Sequence, residues 1–494
     1  MSYDVVLKNG RVIDPASGLD RISDLAIKDG RIAALGESIN PADGRQVEDL
    51  SGLVVAPGLI DIHVHAYGPL GFLDPDTIGV LSGVTAMVDA GSAGPYNYPE
   101  LDALLSDQCR TDWFCFLHLP PLGVTGANEK HHKYASSITS IPLARMIDWA
   151  ERDGSHIRGL KIGAFGDIGL EPVQLAKSIA RIMKVPLYIH IGDFLNRPKQ
   201  ITTPKVLDLL DSGDMITHIY TSVYGGPFTE SGLAVRELKA AQERGVVLDV
   251  GFGSFNFSYA MARMGFERGI FPDTISSDLQ NINVMKPARS LCHVMSIFLN
   301  MGMGLMDVLD RVTARAARAI GEGARRGRIV SGAAADLSIL KIEDGDYSFS
   351  DCDREEMSGS RRIVPVKVWK AGLEIECSPG LAQEKKNWLV EKNDGAISET
   401  ADLDAKDLGF LAEVKEVLAK VSWTVENIHE SIYPIVEDSG MDLRRAVYLV
   451  QKLCLKRPFP QSMAILLYNL GREKALANIQ SIAGKMSPRT GLQT

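Results

Sequence analysis

The sequence predicts an α/β protein: a (β/α)8 TIM barrel, a small composite β-sandwich domain drawn from both flanks of the barrel, and a helical C-terminal extension. Three observations predict it. Short apolar strands alternate with helical patterns through the middle of the chain, which is the mark of a parallel sheet. Strand-like runs with turn residues occur on both sides of that region. The last part keeps helical spacing and loses strand alternation, as a helical domain or arm does.

The elements follow in order. Val5-Val6-Leu7, a Lys8-Asn9-Gly10 turn and Arg11-Val12-Ile13 read as one hairpin. Leu25-Ala26-Ile27, Lys28-Asp29-Gly30 and Arg31-Ile32-Ala33-Ala34-Leu35 read as a second, because Asn-Gly and Asp-Gly favour tight turns. Eight apolar strands come next, at 57–63, 84–90, 113–118, 157–163, 186–191, 215–219, 246–252 and 273–278. The clearest helices between and after them are Pro172–Met183, Ser231–Arg244 and Leu305–Ile320. Eight such units over about 265 residues suit a barrel, whose usual length is about 250. An open doubly wound sheet shares the periodicity. Strand texture returns at Asp336–Leu340 and Val364–Trp369. Leu411, Val414, Val417, Leu418 and Val421, then Val447, Leu449, Val450 and Leu453, repeat at helical spacing after a polar stretch. The expected division is 1–55 with 323–382 as the composite β domain, 56–322 as the barrel, 383–407 as a linker and 408–494 as the helical extension.

Composition narrows the function classes. The chain has 494 residues, 45% hydrophobic and 23% charged, an ordinary globular mix. Its 62 acidic residues exceed 53 basic ones, for a net charge of −9, which argues against a nucleic-acid partner. No apolar run approaches the roughly 20 residues of a membrane span, so no membrane partner is expected. The start, Met1-Ser2-Tyr3-Asp4, lacks a signal-peptide pattern. The 6 cysteines are scattered without a CxxC pair. A reducing cytoplasm is the expected location.

The chemistry gathers at strand ends. In Asp61-Ile62-His63-Val64-His65, alternate residues face one side, so His63 and His65 project together at the carboxyl end of the first barrel strand. Barrel active sites lie at that end. Two imidazoles there suit a metal such as zinc, or are two polar residues at a strand exit. His190 ends the fifth strand, His218 the sixth, Asp278 the eighth and Lys161 the fourth. Their agreement favours a metal centre. A lysine ammonium beside metals would be repelled. Lys161 is therefore either an anion clamp or salt-bridge partner, or a carbamate (N6-carboxylysine) formed when the neutral amine adds carbon dioxide. Burial favours that neutral amine.

These residues, with Val55-Ala56-Pro57-Gly58-Leu59-Ile60 before them and the Val312–Arg318 and Gly327–Leu337 stretches after them, resemble the amidohydrolase superfamily. The resemblance covers roughly residues 1–382. Within the superfamily the chain is most similar to dihydroorotase-like deacetylases of the D-aminoacylase kind. The echoes there are the Ser277-Asp278 strand end and Arg361-Arg362-Ile363-Val364-Pro365. The resemblance implies two divalent metal ions, with zinc as the expected metal. His63, His65 and Asp278 would hold the buried ion, His190 and His218 the exposed one, and carbamylated Lys161 would bridge them with a shared hydroxide. Asp278 would take the hydroxide proton and pass it to the leaving group. The implied reaction is hydrolysis of an amide or ester bond in a small acylated compound, deacetylase-like. The rivals are a cyclic amidase of dihydroorotase or hydantoinase type and a non-catalytic assembly scaffold. Relatives are commonly oligomers, so a homo-oligomer is implied.

Two features depart from the family. Relatives often carry a basic residue shortly after the bridging lysine, whereas Gly163-Ala164-Phe165-Gly166 stands here. This removes one anchor for a substrate carboxylate. The tail from 384 has no counterpart in the family pattern. Substrate-binding candidates are Tyr220, on the loop after His218; Gly253, at the seventh strand end, where glycine allows close approach; and His118, ending the third strand. His131-His132 read as solvated loop residues and His293 as a packed core histidine. No GxSxG elbow is present.

Overall fold

The structure is a computed structural model. It describes residues 2–72, 74–126, 141–164, 169–193, 201–229, 233–281, 283–284, 286–378, 403–423, 425–441, 445–446, 449–450, 453, 463, 467 and 470–485. Strands β1 to β5 span Tyr3–Asp14, Leu19–Lys28, Arg31–Gly36, Gly44–Asp49 and Val54–Pro57. Strands β6 to β12 span Leu59–Val64, Val84–Asp89, Asp112–His118, Ile157–Gly163, Leu187–His190, Met215–Thr217 and Val247–Asp249. Strands β13 to β15 span Leu337–Ser350, Glu356–Lys370 and Leu373–Glu376.

One sheet has the order β15-β14-β13-β5-β1-β2-β3, with β4 also paired to β1. It joins both flanks of the middle region: β13 runs antiparallel to β5 with Ile339 opposite Val55. Val5, Leu7, Val12, Leu25, Ile27, Val55, Ile339 and Trp369 form its buried core. The Lys28–Arg31 turn is a hairpin, with Asp29 at φ +49 and Gly30 at φ +71, the left-handed pair a two-residue turn needs. The Asn9-Gly10 turn is not one. β1 runs through it, pairing with β2 from Val5 opposite Ile27 to Asp14 opposite Leu19, and the register slips between Leu7 and Gly10. Asn9 adopts φ +60, and its backbone N–H donates to Asp24 Oδ1 at 3.0 Å. Pairing on both sides of the dipeptide turns it into a β-bulge. A Cβ on Gly10 would stand 2.7 Å from Val55 Cγ2, so the close approach of β5 requires glycine.

The second sheet is parallel, in the order β12-β11-β10-β9-β8-β7-β6. Ile62, Val88, Phe114, Phe116, Tyr188 and Met215 share one buried cluster. Side chains from strands so far apart in the sheet meet because the sheet curls around them. The first strand begins at Leu59 rather than 57, since Val54–Pro57 belongs to the other sheet. The expected eighth strand is a closing segment instead of a ladder. Thr274 bridges Asp249, and Leu279 bridges Val64. Val250 N–H reaches Thr274 O at 3.2 Å, Asp278 N–H reaches His63 O at 2.7 Å, and His65 N–H reaches Leu279 O at 2.9 Å. The segment thus ties β12 to β6 and closes the barrel. It departs from strand geometry because Asp278 sits at φ +47.

Helices α1 to α9 span Tyr98–Gln108, Leu143–Arg152, Glu171–Met183, Thr203–Leu207, Val235–Glu243, Tyr259–Glu267, Leu291–Asn300, Leu305–Val312 and Ala314–Ala319. The expected Leu305–Ile320 helix is split at Thr313, whose φ of −131° and ψ of −90° leave the helical region. The Thr313 hydroxyl donates to Leu309 O at 2.6 Å, a local bond that competes with the helix backbone.

Helices α10 to α12 span Ala405–Lys420, Val425–Asp438 and Arg472–Lys485. The Asp404 side chain accepts from Asp407 N at 2.8 Å, and Asp404 N donates back to Asp407 Oδ2 at 3.1 Å. This capping box starts α10. Phe410, Leu411, Val414 and Leu418 bury one stripe of α10 against Ile428, Ile432, Leu449, Val450, Ile479 and Ile482. Most of the expected 383–407 linker, together with Val447, lies outside the described residues. Among the described residues, no helix is long and apolar enough to cross a membrane.

Candidate metal centre

His63 and His65 leave the end of β6, Lys161 leaves β9, His190 ends β10, His218 follows β11, and Asp278 lies in the closing segment. The structure brings them together. Ring centroids are 5.6 Å apart for His63 and His65, 5.2 Å for His63 and His218, and 4.2 Å for His190 and His218. Asp278 Oδ1 lies 3.5 Å from His63 Nε2 and 3.3 Å from His65 Nε2. His63, His218 and Asp278 each offer a ligand atom within 4.8 Å of the others. His218 at φ +72 and Asp278 at φ +47 are non-glycine residues in the left-handed region, which costs about 1 kcal/mol or more each. Such strain persists where surrounding bonds over-determine it.

The bonds behind the rings fix two tautomers. Tyr188 donates its hydroxyl to Asp249 Oδ2 at 2.5 Å, and Thr217 donates its own to the same oxygen at 2.8 Å. Both hydroxyl oxygens also contact His63 Nδ1, at 2.9 and 3.2 Å. With their protons committed to Asp249, they can only accept there, so His63 Nδ1 carries the hydrogen. His218 Nδ1 lies 2.6 Å from Gly251 O, an acceptor, so it also carries the hydrogen. The Nε2 lone pairs of both rings therefore face the site. Burial, followed by the nearby Lys161, pushes His63 well below the usual imidazole value. His190 is pushed to about 3 by the same causes. His63 and His218 thus turn Nε2 lone pairs toward the site beside a carboxylate oxygen, and among the described residues His218 Nε2 is buried without a hydrogen-bond partner. A divalent cation fits this donor set.

Lys161 is 3% exposed, and among the described residues its Nζ has no hydrogen-bond partner. It stands 3.9 Å over the Tyr188 ring. Burial pushes its amine down to about 7. Gly91, at φ +94, makes room for it: a Cβ there would stand 2.9 Å from Lys161 Cγ and 3.1 Å from His118 Cδ2. His118 is opposite Lys161 in the β8–β9 register and 8% exposed. Burial and Lys161 hold it at about 3. Gly253, at φ +66, lies directly against Asp278, whose Oδ2 would be 2.4 Å from an added Cβ.

Tyr220 is a correction. It is fully buried, its hydroxyl donates to Ile270 O at 3.0 Å, and its ring packs among Phe228, Phe257, Phe266 and Phe298. It is a core residue and does not line the site, because the chain turns inward after His218. His131-His132 and Phe165-Gly166 lie outside the described residues.

Sequence reasoning missed three buried carboxylates. Asp249 is fully buried and accepts from Tyr188, Thr217, Ser276 and Thr274 hydroxyls, the last two both at 2.7 Å. Asp89 accepts from the backbone N–H of Ala66 at 2.9 Å and of Ser92 at 2.7 Å, and Ser92 Oγ meets His65 Nδ1 at 2.9 Å. Asp61, the first residue of the Asp61–His65 motif, accepts from Ser277 N at 3.1 Å and Ser277 Oγ at 2.5 Å. That bond ties β6 to the closing segment beside Asp278. The available signal was a lone carboxylate ending an apolar strand, as in Met87-Val88-Asp89 and Val247-Leu248-Asp249.

A closed parallel barrel with neutral imidazoles and an aspartate converging at its carboxyl end is the architecture of a metal-assisted hydrolase. No family model matches the chain. A deacetylase of Brucella anthropi is 31% identical over 354 residues, which is 70% of this chain and 86% of that protein. A deacetylase of Agrobacterium fabrum is 31% identical over 353 residues, 70% of this chain and 84% of that one. The crystal structure of a dihydroorotase matches with a TM-score of 0.67 and 28% identity, covering 76% of this chain and 99% of that one. The chain belongs to the amidohydrolase superfamily and is a hydrolase of that class.

Proposed function

We propose that this protein hydrolyses an amide or ester bond of a small acylated compound, as a deacetylase does. The single observation that carries the reading is the convergence of potential ligand atoms, with Asp278 Oδ1 3.5 Å from His63 Nε2 and 3.3 Å from His65 Nε2. The deacetylase names of relatives at 31% identity support the reaction class.

In this reading His63, His65 and Asp278 would hold one divalent ion, expected to be zinc, and His190 and His218 would hold a second. Lys161, as the carbamate formed when its neutral amine adds carbon dioxide, would serve both ions, a role supported by its burial and by an amine without a hydrogen-bond partner among the described residues. When bound, the metals supply Lewis acidity that makes water nucleophilic near neutral pH and polarises a carbonyl. The chain's own residues do the rest. Tyr188 and Thr217 keep the His63 Nε2 lone pair on the site, and Gly251 O does the same for His218. Asp278 Oδ2, steadied by the Asn256 amide at 3.3 Å, takes a proton from the attacking water and returns it to the leaving group. Gly253 and His118 line the approach to the scissile bond. The barrel is assigned to 56–322, the composite β domain to 1–55 with 323–382, and the extension to 408–494. A cytoplasmic location belongs to the same proposal, supported by five free cysteines among the described residues.

A second reading, a cyclic amidase, draws on the 28% identical dihydroorotase structure. One screen separates the two. Zinc-reconstituted full-length protein is offered N-acetyl amino acids, acetyl esters and cyclic imides, with His63→Ala as the control. Acetate release by the wild type alone supports the proposal. Turnover of cyclic imides with no acetate release overturns it in favour of the cyclic amidase.

A further inference from the structure

The C-terminal extension docks on the face of the barrel that carries the metal-centre residues. Leu122 lies on the segment that follows His118 and β8. It is 4% exposed, and its buried cluster otherwise consists of extension residues, Phe410, Leu411, Val414, Leu449, Leu453 and Met463 among them. Tyr96, on the segment after β7, packs against the same cluster. The two segments are stitched together: Tyr96 N–H donates to Pro121 O at 2.9 Å, Val124 N–H donates to Gly91 O at 2.9 Å, and Asn97 Nδ2 donates to Leu122 O at 3.3 Å.

A polar link runs beside this apolar contact. Glu100, in the first turn of α1, is 3% exposed. Its Oε1 accepts from the backbone N–H of Met463 in the extension at 3.4 Å, and its Oε2 accepts from the Tyr67 hydroxyl at 2.5 Å. Tyr67 is 2% exposed and stands two residues beyond His65. Every structural element from the extension to the His65 segment is thus in direct contact with the next. The dihydroorotase neighbour is covered over 99% of its length while 76% of this chain is matched. Part of this chain therefore has no counterpart in that neighbour.

We infer that Glu100 is a positioning residue: with Leu122, it lets the extension brace the Tyr67 and His65 segment and so sharpens metal binding at His65. The inference rests on the reading of the His63, His65 and Asp278 cluster as a metal centre. Outer partners of metal ligands typically contribute about 10–100-fold in affinity. Glu100 acts through Tyr67, so an effect near the lower end, about tenfold, is expected. Glu100→Gln keeps one carbonyl oxygen and so retains part of the brace.

The test uses full-length wild type, Glu100→Ala, Glu100→Gln and Leu122→Ala. Zinc affinity is measured by competition with a chromophoric chelator, and hydrogen exchange of segments 65–72 and 91–98 is measured without metal. The expected result is faster exchange at 65–72 in Glu100→Ala and Leu122→Ala, about tenfold weaker zinc binding in both, and a smaller change in Glu100→Gln. If Glu100→Ala does not fold, Leu122→Ala carries the test alone. Wild-type exchange at 65–72 together with wild-type zinc affinity in a folded variant overturns the brace. If the wild type binds no zinc, the metal-centre reading fails, and the metal-free exchange still decides whether the extension braces this segment.

Discussion

Removing one hydroxyl behind His63 tests how the centre is held. In Tyr188→Phe the ring stays, and with it the contact to Lys161 Nζ at 3.9 Å. Only the oxygen that gives its proton to Asp249 at 2.5 Å and accepts from His63 Nδ1 at 2.9 Å is lost. Tyr188 is fully buried. A buried hydrogen bond to a carboxylate contributes about 1.5–3 kcal/mol, so stability should fall by that amount. His63 keeps Thr217 Oγ1, at the longer 3.2 Å. Its tautomer therefore survives with one acceptor instead of two. Loss of such a partner weakens metal binding by about 10–100-fold. The surviving Thr217 contact places the expected loss near tenfold, or about 1.4 kcal/mol. Urea unfolding of the metal-free variant gives the first number and zinc competition against a chelator gives the second. A variant with wild-type stability and wild-type zinc affinity refutes the argument that Tyr188 and Asp249 orient His63.

Three further outcomes follow from the same geometry. Lys161→Ala should abolish hydrolysis, with partial recovery on adding short carboxylic acids; unchanged turnover removes the carbamate from the account. Gly253→Ala places a Cβ 2.4 Å from Asp278 Oδ2 at φ +66, so kcat should drop far more than the melting temperature; equal kcat in the two proteins contradicts the placement of Asp278. Burial raises the Asp76 carboxyl, but Thr111 and Arg110 bonds outweigh it and hold the folded value below the usual one. Its stabilisation is therefore present above the unfolded value of about 3.9 and is lost as pH falls through the folded value. The stability gap between wild type and Asp76→Asn, measured by urea titration, should be widest near neutral pH and shrink below about pH 4; a gap independent of pH contradicts it.

The legible parts of this molecule were those governed by short-range periodicity. Alternation put His63 and His65 on one side of a strand, and the even spacing of apolar strands placed Lys161, His190, His218 and Asp278 at corresponding ends. The structure brings all of these together. Asn9-Gly10 misled because the same dipeptide serves a turn or a bulge, and pairing partners decide between them. The eighth strand and the Leu305–Ile320 helix were read as regular. Left-handed backbone at Asp278 goes with tertiary bonds and the break at Thr313 with a local hydroxyl bond, and periodicity carries neither. Tyr220 looked like a loop residue facing the site, and its hydroxyl instead found a carbonyl in the core. Asp249, Asp89 and Asp61 went unassigned because a carboxylate on a strand reads as solvated until its hydroxyl and amide partners are seen.

The central claim is that the strand-end cluster is a metal centre. The most direct test is elemental analysis of the full-length wild-type protein after reconstitution with zinc and exhaustive dialysis. The proposed function predicts up to two divalent ions per chain, with loss of bound metal in His63→Ala. Wild-type protein that is folded and retains no divalent ion would contradict it.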